Sequence, residues 1–243
     1  MKAMILAAGV GNRLRPLTQE CPKALIEIGG IPMLEIVLRR LIRSGVRSVV
    51  VNMFHLADRI IDFLENKSYF GIEIKVSRES KLLDTGGGLK NASRFFDDGL
   101  PFFLHNVDVL TDIDLKELYR SHRRTHALAT LAVRRRRASR CLLFDKKGLL
   151  CGWNSGRKLL WASEPVKMAE RMAFDGVHVI SPELLTNMTE TGAFPILGSY
   201  LRLAGNGAAI RAFRSDKYGW WDMGSPGKLS RARRAAEKKG LLA

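Results

Sequence analysis

An apolar run, Met4-Ile5-Leu6-Ala7-Ala8, ends at Gly9 and passes at once into a loop of glycines and arginines, Gly9-Val10-Gly11-Asn12-Arg13-Leu14-Arg15. No other feature of the chain constrains its fold as much. A short apolar run ended by glycine reads as a buried strand. The glycines let the backbone turn tightly enough for its N–H groups to face phosphate oxygens. Arg13 adds a planar guanidinium fork, and Lys23, stiffened in its approach by Pro22, adds a compact point charge. Two competing loops fail on spacing. A dinucleotide-binding GxGxxG would need glycine where Leu14 stands and would run directly into a helix, whereas Pro16 and Pro22 interrupt this segment. A Walker A loop would need glycine-lysine-serine/threonine, which is missing.

Strand and helix signals then alternate. Pro32 opens a helix carrying Leu34, Ile36, Val37, Leu38, Leu41 and Ile42 at helical spacing, and Ser44-Gly45 stops it. The spacing predicts a valine-rich strand over 46–52, a helix over 56–65 and a strand over 72–76. A helix over 89–96 follows Gly86-Gly87-Gly88; then come a strand over 101–105 and a helix over 115–123. This order predicts an α/β chain, a Rossmann-like three-layer sandwich on a mostly parallel mixed sheet. The second half is less regular. Apolar runs over 127–133, 141–144, 149–153, 158–161 and 174–180 predict a small antiparallel extension, and two helices follow over 194–204 and 226–239. With 243 residues, 46% of them hydrophobic, the expectation is one domain spanning 1–243.

Two aspartates stand out. Asp108, in His105-Asn106-Val107-Asp108, follows an apolar strand, where open α/β sheets bind ligands. Asp222, in Trp220-Trp221-Asp222-Met223-Gly224, lies far along the chain. Converging, they could hold one Mg²⁺, which prefers hard oxygen ligands; taken singly, each reads as a turn or cap, Asp222 capping a helix near Pro226. Glu79 and Leu83-Asp84-Thr85-Gly86-Gly87-Gly88 form a further constellation, in which glycines permit close approach of a base or ribose and Glu79 could accept from a base N–H, although by itself Glu79 reads as a solvated loop residue. Core packing is the expected role of most of Trp153, Trp161, Trp220 and Trp221. His178 alternates with its neighbours along a strand and is given no chemical role.

Charge and cysteine usage narrow the classes. The net charge is +16, which draws anionic partners. Much of it lies in Arg134-Arg135-Arg136-Arg137 and in Lys228, Arg231, Arg233, Arg234, Lys238 and Lys239, both read as solvated faces. A nucleic-acid-binding protein is the alternative of a different class, but no zinc spacing, RNP motif or helix-turn-helix signature supports it. The three cysteines, Cys21, Cys141 and Cys151, have no CxxC spacing, which argues against a disulfide framework or zinc site. No apolar run is long enough to cross a bilayer, and the expectation is a cytoplasmic protein without a membrane partner, with a homo-oligomer left open.

The segment from Leu6 to Lys23 resembles the signature LAAGxGxRxxPLT followed by PK of the nucleoside-diphosphate-sugar pyrophosphorylases, the sugar-1-phosphate nucleotidyltransferases. The resemblance implies that Arg13 and Lys23 bind and polarise a triphosphate and are the catalytic cations. It implies that Leu6, Ala7, Ala8, Gly9 and Gly11 surround the nucleotide together with Glu79, Thr85, Gly86 and Gly87. It further implies that Asp108 and Asp222 hold Mg²⁺, and that Asn106 and Gly176, in Phe174-Asp175-Gly176, line a sugar pocket. Asn12 stands where many members have threonine or serine, and Val107 where many have glycine. The family's glutamate-lysine pair before the Phe174 strand is not clear here, Glu164-Pro165-Val166-Lys167 being the nearest match. The LDTGGG form is similar to short bacterial N-acetylmuramate-1-phosphate uridylyltransferases and favours UTP, with a GTP-using mannose-1-phosphate guanylyltransferase as the alternative. The expected reaction joins a nucleoside triphosphate to a sugar 1-phosphate and releases pyrophosphate.

Overall fold

The structure, a computed structural model, describes residues 1–239. In chain order its strands are β1 (Lys2–Leu6), β2 (Glu27–Ile28), β3 (Ile31–Pro32), β4 (Ser48–Met53), β5 (Glu73–Arg78), β6 (Phe102–Asn106), β7 (Val109–Thr111), β8 (Ala129–Arg134), β9 (Cys141–Phe144), β10 (Leu150–Asn154), β11 (Leu159–Trp161), β12 (Glu170–Ile180), β13 (Ile210–Arg214) and β14 (Trp220–Asp222). Its helices are α1 (Leu17–Glu20), α2 (Met33–Arg43), α3 (Ala57–Asn66), α4 (Asp84–Asn91), α5 (Leu115–Thr125), α6 (Glu183–Thr186), α7 (Ile196–Gly205) and α8 (Pro226–Lys239). The chain forms two compact units. Unit 1 is Met1–Leu82, His105–Asp112 and the segment from Gly219 onward; unit 2 is Leu83–Leu104 and Ile113–Tyr218. No described helix is long and apolar enough to cross a membrane.

Unit 1 is built on parallel strands. β4 pairs with β1 on one side and β5 on the other, with Leu6 opposite Asn52 and Met53 opposite Arg78. Val49, Val50 and Val51 are all buried, as expected of a parallel strand covered on both faces. Such strands need crossover connections, which α2 and α3 supply. α2 starts directly after Pro32 and ends at Ser44, burying Leu34, Val37, Leu38 and Leu41. The Val107 N–H donates to the Leu6 carbonyl, which holds the chain beyond β6 against the end of β1. The antiparallel ribbon β7–β14 was not foreseen in the sequence; each strand has only three residues, too few to show a period.

Unit 2 is organised around β12, which pairs antiparallel with β8 and with β9; β10 and β11 continue the antiparallel series. β13, also unforeseen, lies parallel to β8. Within β12 the register shifts between Phe174 and His178, and Gly176 at the shift has φ 82°, a conformation that favours glycine.

Several expectations change. The helix expected from Leu89 begins at Asp84, so the three glycines lie inside α4 rather than before it. They are tolerated there because their bare surface is covered: the Gly86 and Gly87 N–H groups donate to the Phe194 carbonyl at 2.9 and 3.2 Å, and a Cβ at Gly86 would strike the Phe194 ring. Arg134 is not on a solvated face. It pairs with the fully buried Asp175 through Nε at 2.7 Å, and its Nη1 donates to the Tyr218 carbonyl at 3.0 Å. Of the C-terminal basic residues, Lys228 pairs with Asp222 and Arg233 donates to the Glu27 carbonyl, whereas Arg231 and Arg234 are exposed. The side chains of Lys238 and Lys239 lie outside the described residues. None of the four tryptophans is buried: Trp161 sits on the edge strand β11, Trp220 and Trp221 on the two-stranded ribbon β7–β14, and Trp153 near the end of β10.

Candidate functional site

The glycine loop of unit 1 starts where β1 stops. The Ala7 N–H donates to Asn52 Oδ1 at 2.7 Å, and Asn52 Nδ2 donates to Glu79 Oε1 at 2.7 Å. Both polar side chains are buried, so this chain of hydrogen bonds fixes how the backbone leaves the strand. Glu79 therefore supports Ala7 through Asn52, and Asn52 is a residue the sequence reading missed. The available signal was a polar residue closing the valine run of β4. At the far side of the loop Gly11 has φ 72°, and a Cβ there would lie 2.8 Å from Thr18 Cγ2. Thr18 is buried and its hydroxyl donates to the Gly11 carbonyl at 3.0 Å. The loop is thus tied at both ends. Between them Gly9 is exposed, and among the described residues no atom beyond Gly9 and its chain neighbours comes within 4 Å of where its Cβ would stand.

The two aspartates are brought together by the β7–β14 ribbon. Asp222 lies opposite Val109, the residue after Asp108, and the Met223 N–H donates to the Asp108 carbonyl at 2.9 Å. Gly224 then passes between them. A Cβ on Gly224 would stand 2.9 Å from Arg13 Nη2, 2.9 Å from Asp222 Oδ1 and 3.1 Å from Asp108 Oδ2. Those two carboxylate oxygens are consequently no more than about 6 Å apart, against the ~4 Å that two oxygens on one Mg²⁺ span. Lys23 joins the group, donating to Asp108 Oδ2 at 2.5 Å. Arg13, Lys23, Asp108 and Asp222 therefore meet at one place. Gly224 permits the meeting by having no side chain.

Each carboxylate holds an ammonium: Lys23 on Asp108, and Lys228 on Asp222 at 2.5 Å. Burial pushes the Asp222 carboxyl up, but the Lys228 ammonium, the Gly224 N–H at 2.7 Å and the Arg13 charge outweigh it and hold it below the usual carboxylate range. Both aspartates retain side-chain exposure, 21% for Asp108 and 23% for Asp222. Hard, half-exposed carboxylate oxygens of this kind suit a divalent ion that keeps waters and phosphates in its shell. The donor set fits Mg²⁺, with Asp108 and Asp222 as the residues that would hold it. Burial pushes up the thiol of Cys21, which lies on the approach to Lys23.

The remaining candidates occupy separate places. Asn106 closes β6, and its carbonyl accepts from His105 Nδ1 at 2.8 Å, which fixes that ring's tautomer. Thr85, Gly86, Gly87 and Gly176 belong to unit 2. The Thr85 hydroxyl accepts from the Ile196 N–H at 3.0 Å, and the close approach that Gly86 and Gly87 allow is taken up by residues 192–194 of the same unit. His178 is buried and bonds through Nδ1 to the Tyr200 hydroxyl at 2.8 Å. Glu164 and Lys167 are exposed.

The chain is similar to known proteins along most of its length. The chain is 30% identical over 246 residues to the N-acetylmuramate alpha-1-phosphate uridylyltransferase of Caulobacter vibrioides, covering 97% of each protein. It is 30% identical over 240 residues to the UTP--glucose-1-phosphate uridylyltransferase of Synechocystis sp., covering 92% of this chain but spanning only 60% of that relative's length. A solved UDP-glucose pyrophosphorylase from Acinetobacter baumanii shares the fold at a TM-score of 0.77 and 17% identity, over 99% of this chain and 95% of the other. Residues 2–141, which carry the glycine loop, Lys23 and Asp108, match the nucleotidyl transferase family, and the chain belongs to that family.

Proposed function

We propose that this protein is a sugar-1-phosphate nucleotidyltransferase that transfers the nucleotidyl group of a nucleoside triphosphate, UTP in the favoured case, to a sugar 1-phosphate. The meeting of Arg13, Lys23, Asp108 and Asp222 around Gly224 carries this reading. A phosphate oxygen of the sugar 1-phosphate attacks the α-phosphorus, the bond to the β-phosphate oxygen breaks, and pyrophosphate leaves. The nucleophile is already an anion, so no side chain is needed as a base.

The obstacle is the approach of two polyanions. Arg13 offers its fork and Lys23 its ammonium to the triphosphate, neutralising charge that builds on the leaving group. The tied glycine loop fixes the phosphates so that attack is in line, an alignment that lowers the entropic part of the barrier. Asp108 and Asp222 would hold Mg²⁺, which supplies charge neutralisation and a template for the phosphate oxygens. Leu6 to Gly11 surround the nucleotide in this reading. Glu79 acts through Asn52 on the loop, and Asn106 serves the sugar.

The test is a matrix of four nucleoside triphosphates against several sugar 1-phosphates, each with Mg²⁺ and with EDTA, read as pyrophosphate release. UTP with one sugar 1-phosphate and Mg²⁺ is expected to give the highest rate, with EDTA abolishing it. No release from any pair would overturn the reading. GTP with mannose 1-phosphate as the best pair would replace UTP by the guanylyl alternative.

A further inference from the structure

Lys228 has no part in the reaction described above, yet it occupies one of the two carboxylates on which the divalent ion depends. It stands in the first turn of α8, six residues after Asp222, and donates to Asp222 Oδ2 at 2.5 Å. Its side chain is 39% exposed, three times the 13% of Lys23, so the four-carbon stem is free to swing. An ammonium at that distance competes with an ion that needs the same carboxylate at about 2.0–2.1 Å, because two cations on one small group repel. Arg13, Lys23, Lys228, Asp108 and Asp222 together carry one net positive charge. Adding a divalent ion raises that to three, and only a polyanion in the same place relieves it.

We infer that Lys228 is the exchange partner of the divalent ion at Asp222. It neutralises the carboxylate while the ion is away, leaves as the ion arrives, and turns its ammonium to the triphosphate that comes with the ion. The inference rests on the reading of Asp108 and Asp222 as the ion's ligands. It makes Lys228 a further phosphate-binding cation and gives the enzyme ordered charge: the ion and the triphosphate bind better together than either does alone.

The test uses Mn²⁺ as probe, titrated into the full-length protein by electron paramagnetic resonance, first alone and then with a nucleoside triphosphate. Lys228→Met and Lys228→Gln are each expected to bind free Mn²⁺ at least about threefold more tightly and the Mn²⁺–triphosphate complex at least about threefold more weakly. Opposite signs are the signature, since a damaged fold would weaken both. Lys228→Arg, which keeps the charge, and Arg234→Met, which removes an exposed charge farther along α8, are expected to stay near wild type. Free Mn²⁺ affinity that is unchanged or weaker in both the Met and Gln variants would overturn the exchange and leave Lys228 as an anchor of α8. Equal tightening by Arg234→Met would also overturn it, as a mere effect of net charge. Wild-type protein that binds no Mn²⁺, or whose binding survives both Asp108→Asn and Asp222→Asn, would overturn the reading of the site and the exchange with it.

Discussion

Two aspartates from the two units, Asp222 and Asp175, meet opposite fates. Asp175 in unit 2 is fully buried; Arg134 grips both its oxygens at 2.9 and 2.7 Å, and the Ser215 hydroxyl donates to it at 2.5 Å. Burial, opposed by Ser215 and Arg134, still leaves its carboxyl above the ordinary value. Asp222 in unit 1 is partly exposed, holds a part-exposed lysine, and is kept below the usual range. A carboxylate closed in and matched by a fixed guanidinium stiffens a fold, because removing one partner strands the other. A carboxylate that keeps an open side and an exchangeable counterion can take a ligand. Burial, rather than charge, separates the two roles.

The largest effect expected from this contrast is on stability. Asp175→Ala removes the carboxylate that neutralises the Arg134 guanidinium, 12% exposed, and should cost about 3–5 kcal/mol in urea unfolding. A loss below about 1 kcal/mol would put Asp175 in the same class as a surface carboxylate. In unit 1 the expected loss is chemical. Lys23→Ala and Asp108→Ala should each lower turnover at least about 100-fold, roughly 3 kcal/mol of barrier, while the melting temperature stays close to wild type. Unchanged pyrophosphate release in either variant would remove that residue from the mechanism.

Acid provides an intermediate effect that touches both units. Burial lowers His105 in unit 1 and His122 in unit 2 to about 4. The unfolded chain protonates these rings near 6.5, so between the two values it binds more protons than the folded chain. Stability contributed by the neutral rings is therefore present above about 6.5 and lost as pH falls toward 4. From pH 7 to 5 each histidine should cost roughly 2 kcal/mol, and His122→Gln should remove its share of the decline. Decline of equal steepness in that variant would show that its ring is not held neutral. The smallest effect sharpens the site itself. A Cβ at Gly224 comes nearest to the flexible ends of Arg13, Asp108 and Asp222, so Gly224→Ala should leave stability within about 1 kcal/mol and lower turnover about tenfold. Full activity would mean that those three groups need not be so close.

The first strand and its glycine loop, α2 between Pro32 and Ser44, and the strands β4, β5 and β6 follow from local patterns, since apolar spacing and glycine or proline punctuation act over a few residues. The start of α4 escaped that reading because its glycines are covered by residues 192–194, which are remote in the chain. Arg134 escaped it for the same kind of reason: nothing in a run of four arginines marks the one that meets a buried carboxylate. The residue types of the site, Arg13, Lys23, Asp108 and Asp222, were legible singly, and a family signature joined them.

Local sequence, then, determined where the chain turns, which faces are apolar and which side chains can bind phosphate or a hard cation. Only the tertiary structure decided that three-residue strands β7 and β14 would pair, set Asp222 beside Asp108, leave room at Gly224 and put Lys228 on a carboxylate. Side-chain periodicity is written into neighbouring residues, whereas the pairing of two short segments more than a hundred residues apart depends on every packed element that closes the loop between them.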